Sequence, residues 1–248
     1  MKNLSLLLLA GSALLLASCN SGRVPGNTLS GTVVEGQEKT DDKGKTTLEY
    51  QAWKGGAGTI IASTPGSELV RTSLAADGKF SLDLPRPADA QLTLMASGSP
   101  TGAPSGCQGS VNVSDKQARG TQLMLSVDAA QDGVLLPMSL TRTTGTEGEF
   151  LTQSLTLGML LYVDRDVTIK GTQTCTAAGN QISSDTDMNL RQGWNKVSLT
   201  TTADFQKKTS NLVVRNGGTL DNWVFTGAGI GHSVNTQSLK AFNLPFFR

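Results

Sequence analysis

The chain has 248 residues, with 21 basic and 20 acidic side chains and a formal net charge of +1. Without residues 1–18, which contain Lys2, the balance is 20 basic against 20 acidic residues. Electrostatic binding to nucleic acid needs a basic excess that neutralises phosphates, so this balance excludes a nucleic-acid partner of that kind. The single histidine, His232, leaves little material for His-based catalysis or for most metal sites.

The first 18 residues have the features of a secretory signal peptide. Lys2 supplies a short positive region, and residues 4–17 form an apolar run of about 14 residues that ends in small residues. This run is short for a membrane-spanning helix, which needs roughly 20 apolar residues. We therefore expect residues 1–18 to direct export and to be removed.

The segment Leu16-Ala17-Ser18-Cys19 resembles the lipobox of bacterial lipoproteins at every position. The resemblance implies that Cys19 is acylated, becomes the first residue of the mature protein and attaches the chain to membrane lipid. Two or more acyl chains hold a protein stably at a membrane. The alternative is an ordinary cleaved signal peptide in which Cys19 has no role.

The residues after Cys19 bear on where the anchor places the protein. Asn20 stands where an Asp favours inner-membrane retention in some bacterial lipoproteins, so the resemblance favours the outer membrane or the cell surface. Residues 19–27 are polar and contain Gly and Pro, which predicts a flexible tether.

The rest of the chain predicts β-strands. Short alternating runs are bounded by Gly, Pro, Asn, Asp or Ser, and no helical period is sustained. Asp77-Gly78 and Asn216-Gly217-Gly218 are hairpin signals because such turns need positive φ. We expect an all-β protein with two sandwich-like domains, residues 28–127 and 128–248. The predicted runs are 29–34, 47–53, 58–62, 80–84, 92–95, 121–127, 134–140, 155–163, 167–170, 187–190, 196–200, 211–215 and 222–226.

Residues 28–98 open with Ser30-Gly31-Thr32-Val33 and close with Asp77-Gly78-Lys79-Phe80-Ser81-Leu82-Asp83-Leu84-Pro85. The closing motif resembles that of the carboxypeptidase-regulatory-like (transthyretin-like) β-sandwich modules of secreted bacterial proteins. The opening lacks the downstream Pro and Gly usual in that family. The resemblance implies a scaffold or linker domain with no chemistry of its own.

The second half carries residues 161–171 (LYVDRDVTIKG) and 189–195 (NLRQGWN). These segments are similar to parts of uncharacterised bacterial envelope lipoproteins in which one β-domain precedes another. The resemblance implies no activity.

Cys107 and Cys175 remain once Cys19 is assigned to lipid. Disulfides persist outside the cytoplasm, so we predict one bridge between them. Two free buried thiols or one unpaired reactive thiol are the alternatives. A bridge would tie the two halves of the chain together. No Cys-x-x-Cys motif or Cys/His cluster supports a zinc or thioredoxin-type site.

Two C-terminal segments resemble catalytic motifs only in part. Gly231-His232-Ser233-Val234-Asn235 lacks the final Gly of a nucleophile elbow, and His232 cannot easily turn back as base for its neighbour Ser233. Gly227-Ala228-Gly229-Ile230-Gly231 lacks the following helix that a phosphate loop requires. We interpret both as parts of a Gly-rich loop.

Carboxylates offer two further candidates. Asp185, Asp187 and Asn189 alternate, so in a strand they share one face and could contribute oxygen ligands to Ca²⁺. The favoured interpretation is the solvent face of a strand whose Met188 and Leu190 point inward. Asp164 and Asp166 flank Arg165, which predicts a surface strand end with ion pairs.

Aromatic residues offer the remaining candidates. Trp53, Trp194 and Trp223 could stack on sugars if they were exposed, although burial in a core is favoured for each. Phe242, Pro245, Phe246 and Phe247 could dock on a partner, although folding back onto the sandwich is favoured.

The sequence therefore predicts a membrane-anchored envelope lipoprotein with a non-catalytic structural, adhesive or ligand-binding role. No catalytic residue, cofactor or metal site is expected, and envelope proteins or glycan are the candidate partners besides lipid. The alternatives are a glycan- or peptidoglycan-binding module and a hydrolase that uses carboxylates.

Overall fold

The computed structural model describes residues 27–95, 107–177, 179–218 and 221–227. Within these ranges the chain forms sixteen β-strands and a 3₁₀ turn at Asp89–Gln91, which confirms the all-β class. No helix in these ranges is long and apolar enough to cross a membrane. The strands are β1 (Thr28–Thr40), β2 (Lys45–Ala52), β3 (Gly58–Thr64), β4 (Ser67–Leu74), β5 (Lys79–Asp83), β6 (Thr93–Leu94), β7 (Cys107–Val113), β8 (Arg119–Asp128), β9 (Gly133–Leu136), β10 (Met138–Thr144), β11 (Phe150–Val163), β12 (Val167–Ala177), β13 (Asn180–Leu190), β14 (Gly193–Asp204), β15 (Thr209–Asn216) and β16 (Asn222–Phe225).

Seven strands close into a ring in the order β8, β9, β16, β1, β2, β10 and β11, and β11 pairs back onto β8. Only β16 and β1 are parallel within this ring; the other neighbours are antiparallel. The sheet continues from β11 through β14, β15, β13, β12 and β7, and from β8 through β3 and β4. β5 pairs with β1, and β6 pairs with β8.

The division of the chain into two domains between residues 127 and 128 remains a prediction. The hydrogen-bonded ring is nevertheless built from strands on both sides of it: β16 pairs with β1, β10 pairs with β2, and β11 pairs with β8. β8 itself (Arg119–Asp128) runs through the boundary.

One group of buried side chains, here called the aromatic core, contains all three tryptophans. Three T-shaped ring pairs form within or against it: Phe80 with Trp223, Tyr162 with Trp194, and Trp53 with the partly buried Phe225. Its members are Leu29, Val33, Trp53, Ile60, Ala62, Leu74, Phe80, Leu82, Leu84, Leu92, Leu123, Leu125, Val127, Leu135, Leu160, Tyr162, Trp194 and Trp223.

A second group, here called the aliphatic core, has no aromatic member but contains four methionines. Its members are Val34, Met95, Ala118, Met138, Leu140, Leu155, Leu157, Met159, Leu161, Val163, Val167, Ile169, Met188, Leu190, Val197, Leu199, Leu212, Val214 and Val224.

Four strands are shared by the two cores. Successive side chains of a strand point to opposite faces, so a strand buried on both sides can serve two cores at once. On β1 the neighbours Val33 and Val34 belong to different cores. The same division separates Leu160 from Leu161 on β11, Trp194 from Val197 on β14, and Trp223 from Val224 on β16.

The Asp77-Gly78 turn forms as predicted, with a φ of 85° at Gly78 and a hydrogen bond from its amide to the Ala75 carbonyl at 2.9 Å. After this turn Phe80 and Leu82 are buried, whereas Ser81 and Asp83 are exposed. β5 then forms its ladder with β1 instead of with β4, the strand before the turn.

Candidate functional site

A row of short polar side chains crosses five neighbouring strands on their outer face. In the register of the sheet, Thr141 of β10 is opposite Ser154 of β11, and Ser154 is opposite Thr202 of β14. Thr202 is opposite Asn211 of β15, which is opposite Ser183 of β13. Four interstrand spacings of about 4.8 Å make this row about 19 Å long. We call it the polar row.

The alternation of each strand creates the polar row. The residues that follow Ser154 and Asn211 are Leu155 and Leu212, and both are buried in the aliphatic core. Since adjacent residues point to opposite faces, burying these leucines turns the polar neighbours outward. The same argument applies to Leu140 and Thr141 on β10.

A second row lies one step nearer the strand ends. Thr152 is opposite Asp204, Asp204 is opposite Thr209, and Thr209 is opposite Gln181. The two rows line a groove of about 490 Å³. Every lining side chain except that of Ala203 carries a hydroxyl, an amide or a carboxylate. We call this groove the polar trough.

Several polar groups of the trough are arranged to meet a ligand. The Ser183 hydroxyl donates to the Asn211 side-chain oxygen at 2.9 Å, which leaves the two N–H groups of that amide available. The Thr202 hydroxyl makes only a long bond of 3.5 Å, to the Asn211 carbonyl. The Thr141 and Ser154 hydroxyls have no hydrogen-bond partner within the described part of the chain.

The trough has one carboxylate, that of Asp204, and it is already engaged. Its oxygens accept the Lys207 amide at 2.9 Å and lie 3.0 Å from the Lys207 ammonium. These contacts, the amide first, lower the pKa of Asp204 below its ordinary value. The lining is therefore close to neutral in net charge, which fits an uncharged ligand with many hydroxyl groups better than a charged one.

A second cleft, of about 230 Å³, lies beside Tyr50, Pro137 and Asn222. The Tyr50 hydroxyl donates to the Met138 carbonyl at 2.8 Å. The phenol is therefore already paired.

An exposed aromatic pair lies at the end of β11 and β14. The rings of Phe150 and Phe205 are 6.1 Å apart, and the residues are 49% and 46% exposed. The Arg142 guanidinium lies 4.7 Å from the centre of the Phe150 ring and donates to Glu38 at 2.7 Å. This contact is a cation–π interaction added to an ion pair.

The Cys107–Cys175 disulfide predicted from the sequence is present, with the two sulfurs 2.05 Å apart. Cys107 begins β7 and is directly opposite Cys175 in the β7–β12 ladder. The bridge therefore fastens the edge strand β7 to β12.

The three tryptophans are buried: Trp53 is 6%, Trp194 is 1% and Trp223 is 4% exposed. Trp53 donates to the Gly56 carbonyl at 2.7 Å, and Trp194 donates to the Pro85 carbonyl at 3.1 Å. The favoured expectation of core burial is confirmed. The indoles present no stacking face for sugars.

The strand end after β11 is at the surface as predicted, with Arg165 and Asp166 exposed, but the side chain of Asp164 is only 6% exposed. Asp164 accepts the Arg119 amide at 2.9 Å and pairs with the guanidinium groups of Arg119 and Arg165. Burial alone would raise the pKa of Asp164, but these hydrogen bonds and charges together lower it below its ordinary value of 3.8. The predicted ion pairing is present, and Asp166 pairs with Arg191 at 2.8 Å.

The calcium candidates are engaged in protein contacts. Asp185 pairs with Arg215 at 2.5 Å, and Asp187 pairs with Lys170 at 3.0 Å. The Asn189 side-chain oxygen accepts the Thr168 hydroxyl at 3.2 Å. Met188 and Leu190 are buried, as the favoured interpretation predicted. Within the described ranges no group of three or more His, Cys, Asp or Glu side chains could hold a metal ion.

Several predicted sites lie outside the described residues. These are the acylation site Cys19, the His232–Ser233 pair, the Gly-rich segment after Gly227, and the C-terminal group Phe242, Pro245, Phe246 and Phe247.

The sequence analysis missed the polar trough and the Phe150–Phe205 pair. Alternation in residues 151–155 and 196–203 is visible in the sequence, but strand order places these segments side by side, and no local pattern encodes that order. Comparisons with protein-family models, with curated proteins and with solved structures each find no match.

Proposed function

We propose that the chain is a lipid-anchored protein of the cell envelope with a non-catalytic, ligand-binding role. The observation that carries the proposal is the segment Leu16-Ala17-Ser18-Cys19, which offers a complete acylation signal after an apolar run. Asn20 favours an outer-membrane or surface location. Acyl chains on Cys19 hold the β-strands at a lipid surface, and the tether of residues 19–27 separates them from it.

The polar trough supports ligand binding over a purely structural or adhesive role. Its volume of about 490 Å³ falls within the usual range of small-molecule and cofactor sites. The resemblance of residues 28–98 to carboxypeptidase-regulatory-like modules supports a scaffold role for the first part of the chain.

A carboxylate-based hydrolase has less support. Glycoside hydrolysis needs two carboxyl groups that face one substrate. In the described part of the chain the trough contains the Asp204 carboxylate alone, and Lys207 pairs with it.

The anchor is tested by changing Cys19 to Ala in the full chain. We expect the variant to lose labelling by a fatty-acid probe and to leave the membrane fraction, because the acylated sulfur is gone. Ser21→Ala is the matched control, since it alters the tether and keeps the cysteine. Unchanged labelling of Cys19→Ala would show that the anchor is assigned wrongly.

A further inference from the structure

We propose that the polar trough binds a neutral glycan that lies across β10, β11, β14, β15 and β13. The inference deepens the ligand-binding role proposed above and rests on it. It assigns a ligand class and places the site on polar side chains of the sheet, because the three tryptophans are buried and cannot stack on sugars.

The chemistry of the polar row selects the class of ligand. Thr141, Ser154, Thr202, Asn211 and Ser183 are all uncharged. A phosphate polymer or an anionic lipid would meet no unpaired cation in this row. An apolar peptide would remove these polar groups from water and would offer them no hydrogen bonds in return. This loss costs free energy.

Sugar hydroxyl groups match the donors and acceptors that the row leaves open. A threonine or serine hydroxyl can donate one hydrogen bond and accept two, and it rotates to suit its partner. The Asn211 amide is fixed by the Ser183 hydroxyl at 2.9 Å, so its two N–H groups are held in one orientation. A fixed donor flanked by adaptable hydroxyl groups suits a ligand that offers a hydroxyl at each position along its length.

The shape of the trough suits an extended ligand. The polar row crosses five neighbouring strands, over about 19 Å of interstrand spacing. It lies on a sheet face and not along a sheet edge, so its contacts come from side chains and not from unpaired backbone groups. A peptide that adds a strand needs the backbone groups of an edge, whereas a glycan can be recognised by the row alone.

The test uses two variants that preserve side-chain shape. Thr202→Val removes one hydroxyl, and Asn211→Asp replaces the two amide donors with acceptors. Both positions lie on an outer face, so the fold is expected to survive. Ser30→Ala on β1 is the matched control, because it removes an exposed strand hydroxyl that pairs with Ser81 and does not line the trough; β2 lies between β1 and β10 in the sheet.

The full acylated chain, in a detergent without sugar groups, is applied to an array of neutral and anionic oligosaccharides. The neutral ones are built from glucose, galactose, mannose and N-acetylglucosamine. We expect retention on at least one neutral oligosaccharide. Each trough variant should weaken that binding by about tenfold, with an unchanged melting temperature, and Ser30→Ala should leave it unchanged.

Three results would overturn the inference: no retention on any neutral oligosaccharide, retention on anionic ones alone, or retention that both trough variants leave intact. Fatty-acid labelling of the same preparation keeps the two proposals apart. If the protein is labelled but binds no neutral glycan, the glycan inference is wrong and the proposal of a lipid anchor still stands.

Discussion

The aromatic core and the aliphatic core differ in the side chains that fill them and in the polar atoms that these side chains bury. The aromatic core contains three indoles: Trp53 and Trp194 donate to the Gly56 and Pro85 carbonyls, whereas the buried Trp223 Nε1 has no partner among the described residues. This core also needs room: a Cβ on Gly31 would lie 2.6 Å from the Trp223 ring. The members of the aliphatic core are Leu, Val, Ile, Met and Ala, and the buried polar groups beside it are small, such as the hydroxyl of Thr186 opposite Val214.

This difference shapes the two surfaces. On the strands that line the trough, Leu155 of β11 and Leu212 of β15 are buried in the aliphatic core, and their neighbours Ser154 and Asn211 face the other side. The outer faces of these strands therefore carry hydroxyl and amide groups in register, which produces the polar trough. The aliphatic core thus has a ligand-sized polar groove on its outer side. In the aromatic core, by contrast, the indoles of Trp53 and Trp194 donate to backbone carbonyls.

The largest expected effect comes from emptying the aromatic core. Trp194 is 1% exposed, packs against Tyr162 and donates to the Pro85 carbonyl. Trp194→Ala should lower the free energy of unfolding by about 4 kcal/mol, from lost burial and a cavity. Urea unfolding of the full chain, followed by far-UV circular dichroism, measures it.

Met188→Ala is the comparison variant in the aliphatic core, and it should cost about 3 kcal/mol. All three tryptophans lie in the other core, so their fluorescence reports on the aromatic core alone. Because β1, β11, β14 and β16 belong to both cores, the fluorescence transition should move together with the dichroism transition. An unmoved fluorescence transition in Met188→Ala would mean that the two cores unfold independently.

A smaller effect is expected where β8 and β11 meet. Asp164, just after β11, accepts the amide of Arg119, the first residue of β8. Since folding lowers the pKa of Asp164, its ionised form stabilises the fold above the ordinary value of 3.8. This contribution is lost as the pH falls through the lower folded pKa.

Asp164→Asn should therefore cost about 2 kcal/mol at neutral pH and progressively less in acid. Urea unfolding at several pH values checks this. Asp166→Asn is the control, because Asp166 and its partner Arg191 are both mainly exposed and such pairs contribute little. A cost for Asp164→Asn that is the same at every pH would contradict the role given to the carboxylate.

Local alternation predicted most of the strands. Each predicted run overlaps a strand, and the F-S-L-D-L motif at residues 80–84 buries Phe80, Leu82 and Leu84 as its period requires. The run 134–140 is two strands because Pro137 has no amide hydrogen to donate to a ladder. β4 and β7 were missed: β4 carries several polar residues, and β7 is an edge strand rich in Gly, Ser and Asn.

The site could be predicted only in part. Burial of the tryptophans follows from their size and apolar character, and the Cys107–Cys175 pair follows from counting cysteines. The polar trough depends on β13 lying parallel to β15 and on β14 lying between β11 and β15. Such long-range order comes from packing of the whole chain, and no short segment specifies it.

The most direct test of the account is amide hydrogen exchange of the full acylated chain, with and without a neutral oligosaccharide selected on the array. We expect slower exchange in β11, β14 and β15, where the ligand covers the outer face, and no change in β5, which packs on the aromatic core. Slower exchange confined to strands that carry aromatic-core residues alone, such as β3, β5 and β8, or no change in β14 and β15, would contradict a glycan site in the polar trough.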